Sequence, residues 1–376
     1  MGILDVMAAG ADDAPRARQG VDRIPAYIPG EAPPGGTGRS VKLSSNESPL
    51  GCSPLAAAAF QAHAGSLQLY PDAGAHALRD AIAAKFGLNS ARVVTSCGSE
   101  ELLHLAARAF VDTGDEVVVS QYGFIGHHIA ALAAGAERIV VPERDYSVDL
   151  DAMAAAVGPR TKLVFIANPG NPTGTVLPAQ AIADFHACLP RRVVLVLDAA
   201  YAEFAELDQA YRCGLDLAER ADNVLVTRTF SKMFGLAGLR IGWGYGRTSL
   251  IDNINRVRPA FNANAVAQAV AIAALQDDDF VRRSCELNSA GLVQLSEGLA
   301  TLGITVTPSV CNFVLAHFGP RTPGADAVFE ALRLRGIVVR PVKGYDLPDA
   351  LRISVGVPED NQFLLDELAV ILGGGR

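Results

Sequence analysis

No stretch of this chain approaches the ~20 consecutive apolar residues that a membrane-spanning helix requires, so an α-helical membrane protein is not expected. Paired cysteines are missing too. Cys52, Cys97, Cys188, Cys213, Cys285 and Cys311 are scattered without a C-x-x-C pair, which fits reduced core thiols and points to no metal site. Nor does any run of Lys and Arg interleave with aromatics. With 32 basic and 40 acidic residues the net charge is −8, which argues against a nucleic-acid partner and leaves room for a small anion. Met1–Gly20 has no basic start, apolar stretch or cleavage site of the secretory kind, and Val6 stands where a myristoylation signal carries Ser or Thr. The expected location is therefore the cytoplasm, with no membrane partner.

What is present suits a large enzyme. The 376 residues, 50% hydrophobic and 19% charged, predict two or three domains with well-filled cores. The first twenty residues are aperiodic, and Pro33-Pro34-Gly35-Gly36-Thr37-Gly38 breaks any regular element, so both read as loop or tail. Short apolar strands are then predicted at Val93–Ser96, Glu116–Ser120, Ile139–Val141, Leu163–Ala167, Val193–Leu197, Val224–Arg228 and Ile241–Tyr245. Between several of them lie helix-like stretches, Glu100–Val111, Gly126–Ala134 and Pro178–Cys188. Continuous apolar strands joined by helices imply a mostly parallel sheet covered on both faces. After Arg258 the pattern changes to Ala-rich helices, strand-like Ile304–Val310, Phe313–His317, Ile337–Val342 and Leu351–Val355, and a helix at Asp360–Leu372. The expected division is a tail and arm over 1–50, a large domain over 51–258 and a smaller α+β domain over 259–376.

Ligands of open α/β sheets bind at the carboxyl ends of strands, which makes the residues there the informative ones. After the first strand, Cys97-Gly98-Ser99-Glu100 opens a helix whose free N–H groups suit a phosphate, although a plain N-cap reads the same way. Asn168-Pro169-Gly170-Asn171-Pro172-Thr173-Gly174 is a run of turn formers, rigid enough to aim Asn171 at a ligand oxygen. Asp198 ends a strand expected to be buried, so its carboxylate needs a cationic partner, either a helix-capping arrangement or a protonated heteroaromatic nitrogen. Lys232 sits between Phe230 and Met233-Phe234, and desolvation there would lower its pKa as an imine-forming amine requires. Thr229, Ser231 and Arg240 offer hydroxyls and a guanidinium to an oxyanion.

The ordered set Asn168-Pro-Gly-Asn-Pro-Thr-Gly, Asp198-x-x-Tyr201, Ser231-Lys232 and Gly238-Leu239-Arg240-Ile241-Gly242 resembles the motifs of fold-type I pyridoxal-phosphate aminotransferases over nearly the whole chain. That resemblance implies an α/β fold with a seven-stranded, mostly parallel sheet and pyridoxal 5'-phosphate as a Schiff base on Lys232. It further implies catalysis by Lys232, Asp198 and Tyr201, with Asp198 on the pyridine nitrogen and Asn171 and Tyr201 on the ring hydroxyl. Gly98, Ser99, Thr229, Ser231 and Arg240 would hold the phosphate, Glu100 would belong to the cofactor site beside them, and Tyr122 would stack on the ring.

Arg23-Ile24-Pro25-Ala26-Tyr27-Ile28-Pro29-Gly30, Leu43-Ser44-Ser45-Asn46-Glu47-Ser48-Pro49-Leu50-Gly51 and Tyr70-Pro71-Asp72 resemble the amino-terminal part of histidinol-phosphate aminotransferases. The likeness continues at Gly336-Ile337-Val338-Val339-Arg340-Pro341 and Leu351-Arg352-Ile353-Ser354-Val355-Gly356. It implies Tyr27, Arg340 and Arg352 at the substrate, Tyr70 at the cofactor phosphate of a neighbouring subunit, and hence a homodimer acting on an amino donor and a 2-oxo acid. The pattern departs at Ala199, at Ser120-Gln121 and at Glu31. An aromatic amino-acid aminotransferase of the same family, or a decarboxylase of a phosphorylated amino acid, therefore stays open beside histidinol phosphate as the donor. Arg340 also has the alternative of pairing with Asp346 or Asp349.

Overall fold

The computed structural model describes residues 15–18, 20–25, 39–63, 65, 67–206, 209–319 and 323–373. Tyr27 and the Pro33–Gly38 breaker lie outside the described residues. In chain order come β1 (Val41–Lys42), α1 (Pro54–His63), α2 (His76–Phe86), β2 (Val93–Ser96), α3 (Ser99–Phe110), β3 (Glu116–Ser120), α4 (Ile125–Ala134) and β4 (Glu137–Val141). They are followed by α5 (Leu150–Ala155), β5 (Thr161–Ala167), α6 (Ala179–Cys188), β6 (Val194–Asp198), α7 (Ala202–Ala205), α8 (Leu215–Arg220), β7 (Val224–Thr229), β8 (Gly242–Tyr245) and α9 (Thr248–Val257).

The seven strands β2 to β8 form one sheet in the order β2-β8-β7-β6-β5-β3-β4. Only β8 runs against its neighbours, β2 and β7; the other pairings are parallel. Alternation along the strands feeds two cores. Leu163 and Phe165 of β5 join the α3, α4 and α9 side, whereas Val164 and Ile166 face the α2, α6 side. One ion sits inside this apolar stack: Arg228 of β7, fully buried, lies 2.8 Å from Glu203 with its guanidinium 4.9 Å from the Phe86 ring. Glu206 lies 3.7 Å from the same guanidinium, so removing Glu203 would weaken the pairing of this buried charge without stranding it.

The rest of the chain is α10 (Ala265–Leu275), α11 (Asp278–Thr301), β9 (Thr305–Thr307), β10 (Phe313–His317), α12 (Ala325–Leu334), β11 (Ile337–Val338), β12 (Arg340–Pro341), β13 (Ala350–Ser354) and α13 (Pro358–Gly373). An antiparallel sheet β12-β13-β10-β9 lies under α11, α12 and α13 with its own core, while β1 pairs in parallel with β11. Helix α10, although beyond residue 258, buries Ala267, Val270 and Ala271 in the core shared with α1 and α2. Two expected strands come out differently. Ile304–Val310 is extended only to Thr307, because Pro308 has no N–H for the ladder. Ile337–Val342 is split: β11 pairs with β1 and β12 with β13, so the chain changes sheets at Val339.

Candidate active site

Three parallel strand ends stand level at the base of a cavity of about 470 Å³. Ala167 of β5 is in register with Asp198 of β6, and Asp198 with Thr227 of β7. Asp198 is buried; its Oδ1 accepts from the Thr227 hydroxyl at 3.3 Å and its Oδ2 lies 3.3 Å from His127 Nε2. His127 comes from α4, fully buried, and stacks on Phe165 with ring centres 5.0 Å apart. Beyond β5, Asn168 folds the loop back on itself, its side chain donating to the Leu177 carbonyl and accepting from the Leu177 N–H. The bonds before Pro169 and Pro172 are cis. Asn171 is thereby carried to the cavity wall, where its Oδ1 accepts from Arg352 Nη1 at 2.6 Å.

The turn after β7 carries the lysine. Phe230, Met233 and Phe234 are buried around it, and the Phe230 and Leu236 N–H groups close the turn on Ile241 and Phe230 carbonyls. Lys232 lines the cavity; its Nζ donates to the Ser45 carbonyl at 3.0 Å and stands 5.9 Å from the Tyr201 ring centre. Burial pushes its pKa down to about 7, with the Arg352 and Arg240 guanidiniums adding to the shift and Glu47 opposing it. A neutral amine is therefore accessible near pH 7. The Tyr201 hydroxyl accepts from Asn46 Nδ2 at 2.8 Å, and burial raises its pKa. Asn46 is itself held, its N–H and Oδ1 on the Ser354 hydroxyl and its carbonyl on Asn312 Nδ2.

At the other end Ser99, Glu100, Thr229, Ser231 and Arg240 line the cavity. Arg240 Nη1 donates to the Ser231 hydroxyl at 3.1 Å, and the Thr229 hydroxyl accepts from the Ser231 N–H. Gly98 precedes α3 with φ +82, and a Cβ there would come 2.3 Å from Arg240 Nη2, so glycine is required for the guanidinium to lie over the helix start. A phosphate fits this corner: free N–H groups of a helix, three hydroxyls and a guanidinium converge on it. An aromatic ring nitrogen fits the buried carboxylate at the opposite corner, with the lysine between them. The residues present therefore match what pyridoxal phosphate needs.

Arg340 and Arg352 are directly opposed across β12 and β13, and both line the same cavity together with Tyr345. Arg352 is buried, with Nη2 on the Ser44 carbonyl at 2.8 Å and the Phe313 ring 5.3 Å beneath it. Three sequence-predicted residues among those described are not in the lining: Gly98, which sits in the turn before α3, Tyr122 and Tyr70. Tyr122 packs instead beside Tyr146, ring centres 5.8 Å apart, against Leu315, Val342 and Leu347, and its N–H donates to Glu143. Phe124, two residues on, is in the cavity wall. Tyr70 is 83% exposed and stacks on Phe261 at 4.6 Å, away from the cavity of its own chain. Tyr27 lies outside the described residues. His127, Asn46, Phe124 and Tyr345 were missed as site residues; the only signal was His127 in an otherwise apolar helix and Asn46 inside the Ser44–Gly51 likeness.

Comparison with known proteins adds the relatives. A model of the family described as aminotransferase class I and II matches residues 39–368. Histidinol-phosphate aminotransferase of Maricaulis maris is 48% identical over 357 residues, 94% of this chain and 98% of that protein. The enzyme of the same description from Rhodospirillum centenum is 45% identical over 360 residues, 96% and 99% of the two chains. Among solved structures, histidinol-phosphate aminotransferase from Sinorhizobium meliloti in complex with pyridoxal-5'-phosphate superposes with a TM-score of 0.84 at 30% identity, covering 90% of this chain and 93% of that one. Thermus thermophilus aspartate aminotransferase with maleate, TM-score 0.79 at 22% identity over 88% of this chain and 91% of that one, shares the fold.

Proposed function

Because this chain belongs to the class I and II aminotransferases, and within them to the histidinol-phosphate aminotransferases, we propose that it moves an amino group between L-histidinol phosphate and 2-oxoglutarate, in histidine biosynthesis in the cytoplasm. Pyridoxal 5'-phosphate on Lys232 would serve as its cofactor. When bound, the pyridine ring supplies a sink for the electron pair left when the donor loses its α-proton. Asp198, buried and steadied by Thr227 and His127, would keep a proton on the ring nitrogen. Asn171 and the Tyr201 hydroxyl would hold the ring hydroxyl, and Ser99, Thr229, Ser231 and Arg240, which line the same cavity, would hold the phosphate. Lys232, whose amine burial holds near a pKa of about 7 in the cofactor-free chain, would be the group that moves the α-proton.

The observation that carries the choice of donor is the opposed pair Arg340 and Arg352 on the wall above Lys232. Like charges directly across a strand pair repel, and a dianion between them turns that cost into binding. Histidinol phosphate places a phosphate there; 2-oxoglutarate uses the same guanidiniums for its carboxylates. Tyr27 would contact the donor. The exposed apolar group of Leu67, Leu69 and Tyr70 beside Phe261 supports a homodimer in which Tyr70 serves the partner's cofactor phosphate. The test is transamination of 2-oxoglutarate with histidinol phosphate, phenylalanine, tyrosine and histidine in parallel. A higher kcat/KM with phenylalanine than with histidinol phosphate would overturn the choice of donor.

A further inference from the structure

Behind the lysine-bearing turn, on the side away from the active-site cavity, lies a second cavity of about 10 Å³, lined by Lys232, Met233, Ser48, Ser284, Asn288 and Asn312 among others. Four buried oxygens on its wall lack a hydrogen-bond partner: Ser48 Oγ, Ser284 Oγ, Asn288 Oδ1 and Asn312 Oδ1. Buried polar atoms are rarely left unpaired, and four around one small space point to a shared ligand. The orientation of both amides is set, because Asn288 Nδ2 donates to the Cys311 carbonyl at 3.1 Å and Asn312 Nδ2 to the Asn46 carbonyl at 3.0 Å. Their oxygens are therefore the atoms left to accept at the cavity the two residues line.

We propose that this cavity binds a single water molecule, and that Ser284 and Asn288 are positioning residues acting through it on the Asn46–Leu50 segment. A water offers two donors and two acceptors. It donates to the two amide oxygens and accepts from the two serine hydroxyls, leaving no orphan. The space is about the volume that one water centre needs. A bare cation is disfavoured, since no carboxylate lines the cavity to compensate its charge. Ser284 and Asn288 stand one turn apart on α11, so both project to the same spot. From there the path is short: Asn312 holds the Asn46 carbonyl, Asn46 Nδ2 holds the Tyr201 hydroxyl, and Ser45 just before it accepts from Lys232.

The water site stands apart from the transamination reading; its effect on turnover rests on that reading. High-resolution diffraction from the holoenzyme should show one solvent peak within hydrogen-bond distance of the four oxygens. An empty cavity, or a peak that exchanges with rubidium and scatters anomalously, would overturn the proposal. Ser284→Val and Ser284→Thr are nearly the same size and differ in the hydroxyl. The valine variant should lose the peak, let Asn312 turn, and lower kcat about three- to tenfold at nearly unchanged KM, while threonine retains the parent values. Competitive labelling of lysines in the cofactor-free protein, read by mass spectrometry across pH, should move the Lys232 midpoint in the valine variant only. If the peak is present but Ser284→Val changes neither the midpoint nor kcat, the positioning role fails and the water is merely structural. Should the valine variant not fold, Asn288→Ala is scored by the same two readouts.

Discussion

Replacing Arg340 by alanine isolates the feature that decides the donor. Arg340 is half-buried on β12, opposite Arg352 on β13, and both line the cavity. Arg352 is anchored independently by Asn171 and Ser44, so the substitution should leave it in place. A charge-assisted contact contributes about 1.5–3 kcal/mol, which corresponds to roughly ten- to 150-fold in kcat/KM. Arg340→Ala should therefore impair histidinol phosphate by about that factor and spare phenylalanine, whose side chain offers no anion. Arg340→Lys should recover only part of the loss, because a point charge does not reproduce the planar fork. Steady-state kinetics with both donors at saturating 2-oxoglutarate give the ratio directly. A parallel readout without turnover is the rise in Tm with inorganic phosphate, which should be larger for the parent than for Arg340→Ala. Equal loss with the two donors would refute the dianion argument and return Arg340 to a rim residue.

Lys232 is shifted from the usual 10.5 down to about 7 in the folded chain, so between those values the unfolded state binds more protons and stability rises with pH. Cofactor-free parent should gain at most about 1.4 kcal/mol per pH unit from pH 7 to 9 relative to Lys232→Met; parallel denaturation curves for the two would disprove the burial argument. Borohydride reduction with pyridoxal phosphate should fix the label on the Lys232 peptide, and label on another lysine would reassign the site. Gly98→Ala places a Cβ against Arg240 and a side chain at positive φ, which should weaken cofactor binding about tenfold or more while the sheet, and hence the far-ultraviolet spectrum, stays unchanged. Mixing Tyr70→Phe with Lys232→Ala protein should restore part of the activity through hybrid dimers, and a fully active monomer would exclude the shared site.

Legibility in the sequence followed the physics of each element. The central strands were found within two residues of their ends because β5, β6 and β7 are buried and carry the apolar runs Leu163–Ala167, Val194–Leu197 and Val224–Val226. The antiparallel direction of β8 was not legible, since a short buried strand looks the same in either direction. Tyr122 and Phe124 show a similar limit. They are two residues apart in a segment without regular periodicity, and only the packing of Tyr122 against Tyr146 and the distant Leu315 and Val342 sets it apart from Phe124 in the cavity wall.

From the sequence by itself followed the fold class, the lysine in its apolar turn, the carboxylate that ends a buried strand and the loop that presents Asn171. Each is written in local pattern: hydrophobic period, turn formers and residue type at a strand end. Tertiary structure alone decided the partners. His127 reaches Asp198 across 71 positions, Asn46 reaches Tyr201 across 155, and Arg352 reaches Asn171 across 181. Such contacts depend on how helices and sheets stack, and side-chain chemistry at one position carries no record of which distant backbone will be folded beside it.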